Sequence, residues 1–171
     1  YCYHMSFFGE RDSRIRVVNH PFVGKTIIAA RNVEKGEIFW YWGKRIDYTT
    51  HVDADDAYTW SDSKYNISVD PRPFPHEALL MYANVPGADE VRTLYPTGRI
   101  HTKANLAGIE LKCRVNIPCG YQITSSYGND KGWFEDRCIT INSIATDSYP
   151  CLQKKKRRRR NEKVACHSMT L

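Results

Sequence analysis

Apolar residues in this chain come in short runs, each broken by glycine, proline or a polar cluster, and that pattern most narrows what it can fold into. Ile15-Arg16-Val17-Val18 and Thr26-Ile27-Ile28-Ala29-Ala30 are rich in β-branched residues and flank His20-Pro21-Phe22-Val23-Gly24, so they read as a strand pair. Glu34-Lys35-Gly36-Glu37 is a turn signal, and Ile38 to Trp42 reads as a strand ending at Gly43. Residues 47–57 are polar and acidic, a short helix or loop. Tyr58-Thr59-Trp60 and Tyr65 to Val69 look like a hairpin, and Pro71, Pro73 and Pro75 forbid regular pairing beyond Asp70. His76 to Ala83 is the best helix candidate, stopped by Pro86-Gly87. Ala107 to Val115 alternates as a half-buried strand, and Gln122 to Tyr127 reads as a further short one. The expected class is mainly β with a little helix (α+β). No βαβ rhythm suggests a nucleotide-binding parallel sheet, and no internal repeat is evident.

With 171 residues, 42% of them hydrophobic, the chain has enough for one domain with a core, plus a tail. The formal net charge is +6, but residues 154–163 alone carry +7, eight basic residues against Glu162. The rest sums to about −1, so a uniformly basic nucleic-acid-binding surface is not indicated. The run Lys154 to Arg160 self-repels and reads as a nuclear address or as a weak, non-specific nucleic-acid contact; otherwise it is a solvated tail on a cytoplasmic protein. Six cysteines form no Cys-x-x-Cys pair and no zinc spacing, so no metal is expected and the simplest setting is intracellular and reduced. No signal peptide or membrane-spanning run is visible. The first residue is Tyr1 rather than Met, as in a fragment or processed product.

Four segments stand out, and the first three each have an ordinary structural reading. Gly24-Lys25-Thr26-Ile27-Ile28-Ala29 with the Lys35-Gly36 turn could be a plain β-turn between strands. Tyr41-Trp42-Gly43 could be core aromatics on a buried strand. Asn84, after Tyr82-Ala83, could be a helix end before Pro86-Gly87. The fourth is Ile117-Pro118-Cys119-Gly120-Tyr121-Gln122-Ile123-Thr124-Ser125-Ser126-Tyr127-Gly128.

In this order and spacing the four segments resemble a SET domain, the fold of S-adenosylmethionine-dependent protein-lysine methyltransferases, over about residues 13–134. The resemblance implies a SET fold of small curved β-sheets with a threaded (pseudoknot) C-terminal segment. Residues 1–12 would then be a leader or the end of a missing segment, and 135–171 a C-terminal extension carrying the basic tail. It also implies roles. Gly24, Lys25 and Thr26 would wrap the cofactor's methionine end. Tyr82, Asn84 and Val85 would hold its amino-acid and adenine parts, and Trp133 would close over the adenine. Tyr41 and Ser125 would line the lysine channel, and Tyr127 would be the catalytic tyrosine. The kind implied is zinc-free. The substrate implied is a protein lysine, commonly on histone, and no membrane partner is implied. Thr26, Val85, Pro86 and Ser125 depart from the family pattern and motivate an alternative: a catalytically inactive SET-like binding or scaffold module.

Overall fold

The structure, a computed structural model, describes residues 8–47, 58–126 and 146–155. β1 (Ile15–His20) and β2 (Gly24–Ala29) form an antiparallel hairpin in which Ile15 faces Ala29 and His20 faces Gly24. The second sheet has five strands, all antiparallel to their neighbours. They are β3 (Ile38–Asp47), β4 (Trp60–Asp62), β5 (Ile67–Asp70), β6 (Leu94–Lys103) and β7 (Leu106–Cys113), in the order β4-β5-β3-β7-β6. The architecture is mainly β, with small antiparallel sheets, as the short β-branched runs require.

The core lies between the hairpin and the inner face of the larger sheet. Ile27, Phe39, Val69, Leu94, Leu111, Ile117 and Ile123 are fully enclosed there. Strand alternation sorts the aromatic run of β3. Phe39 and Tyr41 belong to this core, whereas Trp40 and Trp42 pack on the other face with Phe8 and Phe74. Arg14 is buried without being left unpaired. It bonds Asp12 (2.7 Å) and Glu37 (2.9 Å), and its guanidinium lies 3.8 Å from the centre of the Phe39 ring.

The C-terminal part of the fold is a threaded segment rather than a strand in a ladder. Ile117 exchanges both backbone bonds with Val33, Ala29 N–H donates to Tyr121 C=O, and Ile123 N–H donates to Ile27 C=O. On its other side Ser125 N–H reaches Asn84 C=O and Leu94 N–H reaches Thr124 C=O. Residues 121–125 therefore pass between β2 and the segments around Asn84 and Leu94. Thr124 and Thr93 lock this crossing with reciprocal hydrogen bonds of 2.9–3.1 Å through their hydroxyls.

Four expectations about elements need correction. The strand begun at Ile38 does not end at Gly43 but continues to Asp47, because β5 pairs with it from Lys44 onward. The helix expected over His76–Ala83 is only a 3₁₀ turn, Leu79–Tyr82; Pro75 and Pro86 crowd both ends, and no side chain caps its start. Gln122 to Ser126 makes isolated bridges to Ile28 and Asn84 instead of a strand ladder. β6 was not foreseen. It is an exposed edge strand interrupted by Pro96 and Gly98, its register slips between Pro96 and Ile100, and its pairing with β7 holds it extended.

Candidate functional site

The hairpin turn delivers the first group of residues. Gly24 has φ +75, a conformation costly for any residue with a side chain, and nothing lies within 4 Å of where a Cβ would be. Glycine is needed here for its backbone, and the space beside it stays open. Lys25 lies next to it, with its ammonium 5.3 Å from the centre of the half-buried Tyr82 ring, and the Tyr82 hydroxyl donates to Pro75 C=O at 3.3 Å. Thr26 is wholly buried.

The 3₁₀ turn delivers the second group. Past Tyr82 the chain becomes extended at Ala83, so Asn84 forms a parallel bridge with Thr124. The Asn84 side-chain N–H donates to Thr26 Oγ1 at 2.6 Å, and that hydroxyl donates onward to Gln122 Oε1 at 3.3 Å. Asn84 Oδ1 accepts no hydrogen bond among the described residues. Val85 follows, buried.

The threaded segment delivers the third group. Ser125 is 5% exposed, and its hydroxyl oxygen is buried without a hydrogen-bond partner among the described residues, an uncommon state for such a group. Thr26, Asn84 and Ser125 come from three separate stretches of chain, and Asn84 touches both others: Thr26 through its side chain, Ser125 through its carbonyl. Tyr41 stands on β3, half-buried, its hydroxyl donating to the Tyr58 carbonyl and its ring 5.3 Å from that of Trp60. Tyr127 and Trp133 lie outside the described residues.

Gln122 was not singled out from the sequence, yet it is the hub of this region. It is fully buried, accepts from Thr26, donates through Nε2 to Tyr149 C=O at 2.6 Å, and donates its backbone N–H to Pro150 C=O. The only signal was a long polar side chain among residues otherwise suited to a core. Through it the site is tied to the strap Tyr149–Lys154, whose backbone also bonds Val91 and Asp89. Within the strap, burial together with the nearby Glu90 carboxylate pushes the Cys151 thiol up to about 12.

The chemistry of these groups suits the amino-acid end of a sulfonium cofactor. Among the described residues Asn84 Oδ1 accepts no hydrogen bond and so can accept from an α-ammonium, and the Ser125 hydroxyl has no partner. Among the described residues no group of His, Cys, Asp and Glu could hold a metal ion.

No model of a known protein family matches the chain, and no curated protein matches it. Solved structures do. A Plasmodium falciparum protein described as a candidate histone methyltransferase is 17% identical, with 69% of this chain and 96% of that one covered and a TM-score of 0.48. The methyltransferase domain of human PR domain-containing protein 2 is 16% identical, covering 70% and 80%, with a TM-score of 0.46. A humanized mutant of the Chaetomium thermophilum Polycomb Repressive Complex 2, bound to an inhibitor, is 19% identical with a TM-score of 0.49; 71% of this chain is covered, and it spans 15% of that one. These are likenesses of fold, and no chemistry passes from them to this chain.

Proposed function

We propose that the chain is an S-adenosylmethionine-dependent protein-lysine methyltransferase. The observation that supports this most is the convergence of Thr26, Asn84 and Ser125, three segments singled out for that chemistry and brought into hydrogen-bond contact by the threaded segment. When bound, the cofactor supplies an electrophilic methyl group, which passes to a lysine ε-amine while S-adenosylhomocysteine leaves.

The chain's own residues have the remaining work. In this reading Gly24, Lys25, Thr26, Tyr82, Asn84 and Val85 hold the cofactor, and the role proposed for Trp133 is to close over its adenine. Tyr41 and Ser125 line the lysine's approach. An enclosed channel strips water from the amine and favours its neutral, nucleophilic form. Tyr127 orients that amine for in-line attack, and a narrow approach cuts the entropy of alignment. A histone lysine is the proposed substrate, and the basic run 154–160 the proposed nuclear address. No helix among the described residues is long and apolar enough to cross a membrane.

One observation favours the second reading, a non-catalytic SET-like scaffold. The wholly buried Thr26 already engages the Asn84 amide and Gln122, so part of the site is committed to the protein itself. Titration of S-adenosylmethionine into the folded protein by calorimetry separates the two. Saturable binding near one per chain supports the enzyme, and methyl transfer abolished in Tyr127→Phe with binding retained supports the role of Tyr127. A folded protein without cofactor binding leaves the scaffold.

A further inference from the structure

The hydrogen bonds that run from the strap to Asn84 have a fixed direction, and it is set at the strap. The Tyr149 carbonyl has lone pairs and no proton, so the Gln122 atom that meets it at 2.6 Å must be Nε2. Gln122 Oε1 is thereby turned to Thr26, 3.3 Å from Oγ1. An amide oxygen only accepts, so the Thr26 hydroxyl proton goes to Gln122. Thr26 Oγ1 then has only lone pairs to offer Asn84, and the Asn84 atom that meets it at 2.6 Å must be Nδ2. Oδ1, at the other end of that half-buried carboxamide, accepts no hydrogen bond among the described residues.

Gln122 is what decides the last step. The contact between Thr26 and Asn84 by itself runs either way, hydroxyl to Oδ1 or Nδ2 to hydroxyl, because a threonine hydroxyl both donates and accepts. The reversed arrangement sets Thr26 Oγ1 against Gln122 Oε1, lone pairs against lone pairs. Thr26 and Gln122 are both fully enclosed, so bulk water does not relieve that repulsion. Gln122 is held against turning as well: its backbone N–H donates to Pro150 C=O and its side chain to Tyr149 C=O, both on the strap. A reversed Asn84 would offer a ligand N–H groups instead of an oxygen, and an ammonium cannot accept from them.

We propose that Gln122 is a positioning residue for the cofactor: acting through Thr26, it holds the Asn84 carboxamide with Oδ1 left for the ligand, so that the site selects a molecule carrying an α-ammonium. The identity of that ligand rests on the methyltransferase reading, whereas the orientation of Asn84 rests on the hydrogen-bond directions alone. On this account the committed Thr26 hydroxyl serves cofactor selection.

Two measurements on the full chain test this. Calorimetry compares S-adenosylmethionine with its deamino analogue, in which hydrogen replaces the α-ammonium. The parent is expected to prefer S-adenosylmethionine by about tenfold, the effect of one charged hydrogen bond. Gln122→Leu is expected to lose that preference with little change for the analogue. Thr26→Val, which leaves Gln122 on the strap, is expected to do the same and stands in if Gln122→Leu does not fold. Gln122→Leu/Asn84→Asp is expected to recover the preference, because a carboxylate presents an oxygen whichever way it turns; a merely structural role of Gln122 gives no such rescue. The second measurement needs no ligand. Nuclear Overhauser contacts from the Asn84 carboxamide protons to the Thr26 side chain are expected in the parent, and weakened in Gln122→Leu. Unchanged contacts in that variant would overturn the proposal, as would equal affinity of the parent for the two ligands, or an equal loss for both that Asn84→Asp does not recover. A parent that shows the contacts, loses them in Gln122→Leu and binds no S-adenosylmethionine would overturn the methyltransferase reading while bearing out the orientation of Asn84 by Gln122.

Discussion

Thr26 shows how much a single side chain decides here. Its hydroxyl serves Asn84 and Gln122 at once, in a spot closed to water. Thr26→Val keeps the shape and removes both bonds, stranding buried polar groups. The expected loss is about 1–3 kcal/mol in urea unfolding, and a value near zero would mean those groups find other partners. Glu37 makes a different prediction. Burial raises its carboxyl, but bonds from Arg31, the Glu34 backbone N–H and Arg14 outweigh that and hold it at about 2 against an ordinary 4.5. A folded-state value below the unfolded one stabilises the protein above 4.5, and that contribution is lost as pH falls through 4.5 towards 2. Thermal melts across this window should decline less steeply in Glu37→Gln, which already lacks the contribution at neutral pH. The thiols complete the residue-level tests. Cys119 is exposed, whereas Cys113 and Cys151 are buried with their values raised. Brief alkylation of the native protein at neutral pH, read by mass spectrometry, should modify Cys119 well before either of the others.

Among the strands, two glycines on the large sheet look alike in sequence and differ in what surrounds them. A Cβ on Gly43 would run into the Asp70 carbonyl and the start of Pro71, which are backbone atoms of the paired strand and its turn. One on Gly108 would meet mainly the Phe8 ring, a side chain rather than backbone. Gly43→Ala is therefore expected to cost on the order of 2–4 kcal/mol and to weaken the β3–β5 pairing, with Gly108→Ala clearly milder. Chemical unfolding of the two variants side by side checks the order, and a milder Gly43→Ala would contradict it. The same close approach explains why the strand could not be followed past Gly43 from sequence: glycine reads as a stop unless the backbone that excludes a side chain is known.

At the scale of the molecule, the C-terminal strap is a structural part of the fold. It supplies Tyr149 and Pro150 carbonyls to Gln122 and the Leu152 carbonyl to Val91. Truncation before residue 146 should lower the melting temperature by several degrees, since it strands buried donors beside the candidate site; an unchanged melt would show that the strap is dispensable. What the sequence by itself determined is what depends on neighbours along the chain. The β-branched runs at 15–18 and 26–30, the hairpin into 67–69 and the alternation of 107–113 were legible because strand propensity and period two are local properties. The candidate residues at 24–26, 82–85 and 125 were chosen by the resemblance of the ordered segments to a SET domain, since each segment alone also reads as ordinary structure. Only the tertiary structure decided that they meet, that the aromatics of β3 divide between two faces, that β6 is extended despite Pro96 and Gly98, and that Gln122 joins the site to the strap. Each of these rests on contacts between distant stretches of chain, and the geometry of such contacts is set by packing and threading, which no local pattern encodes.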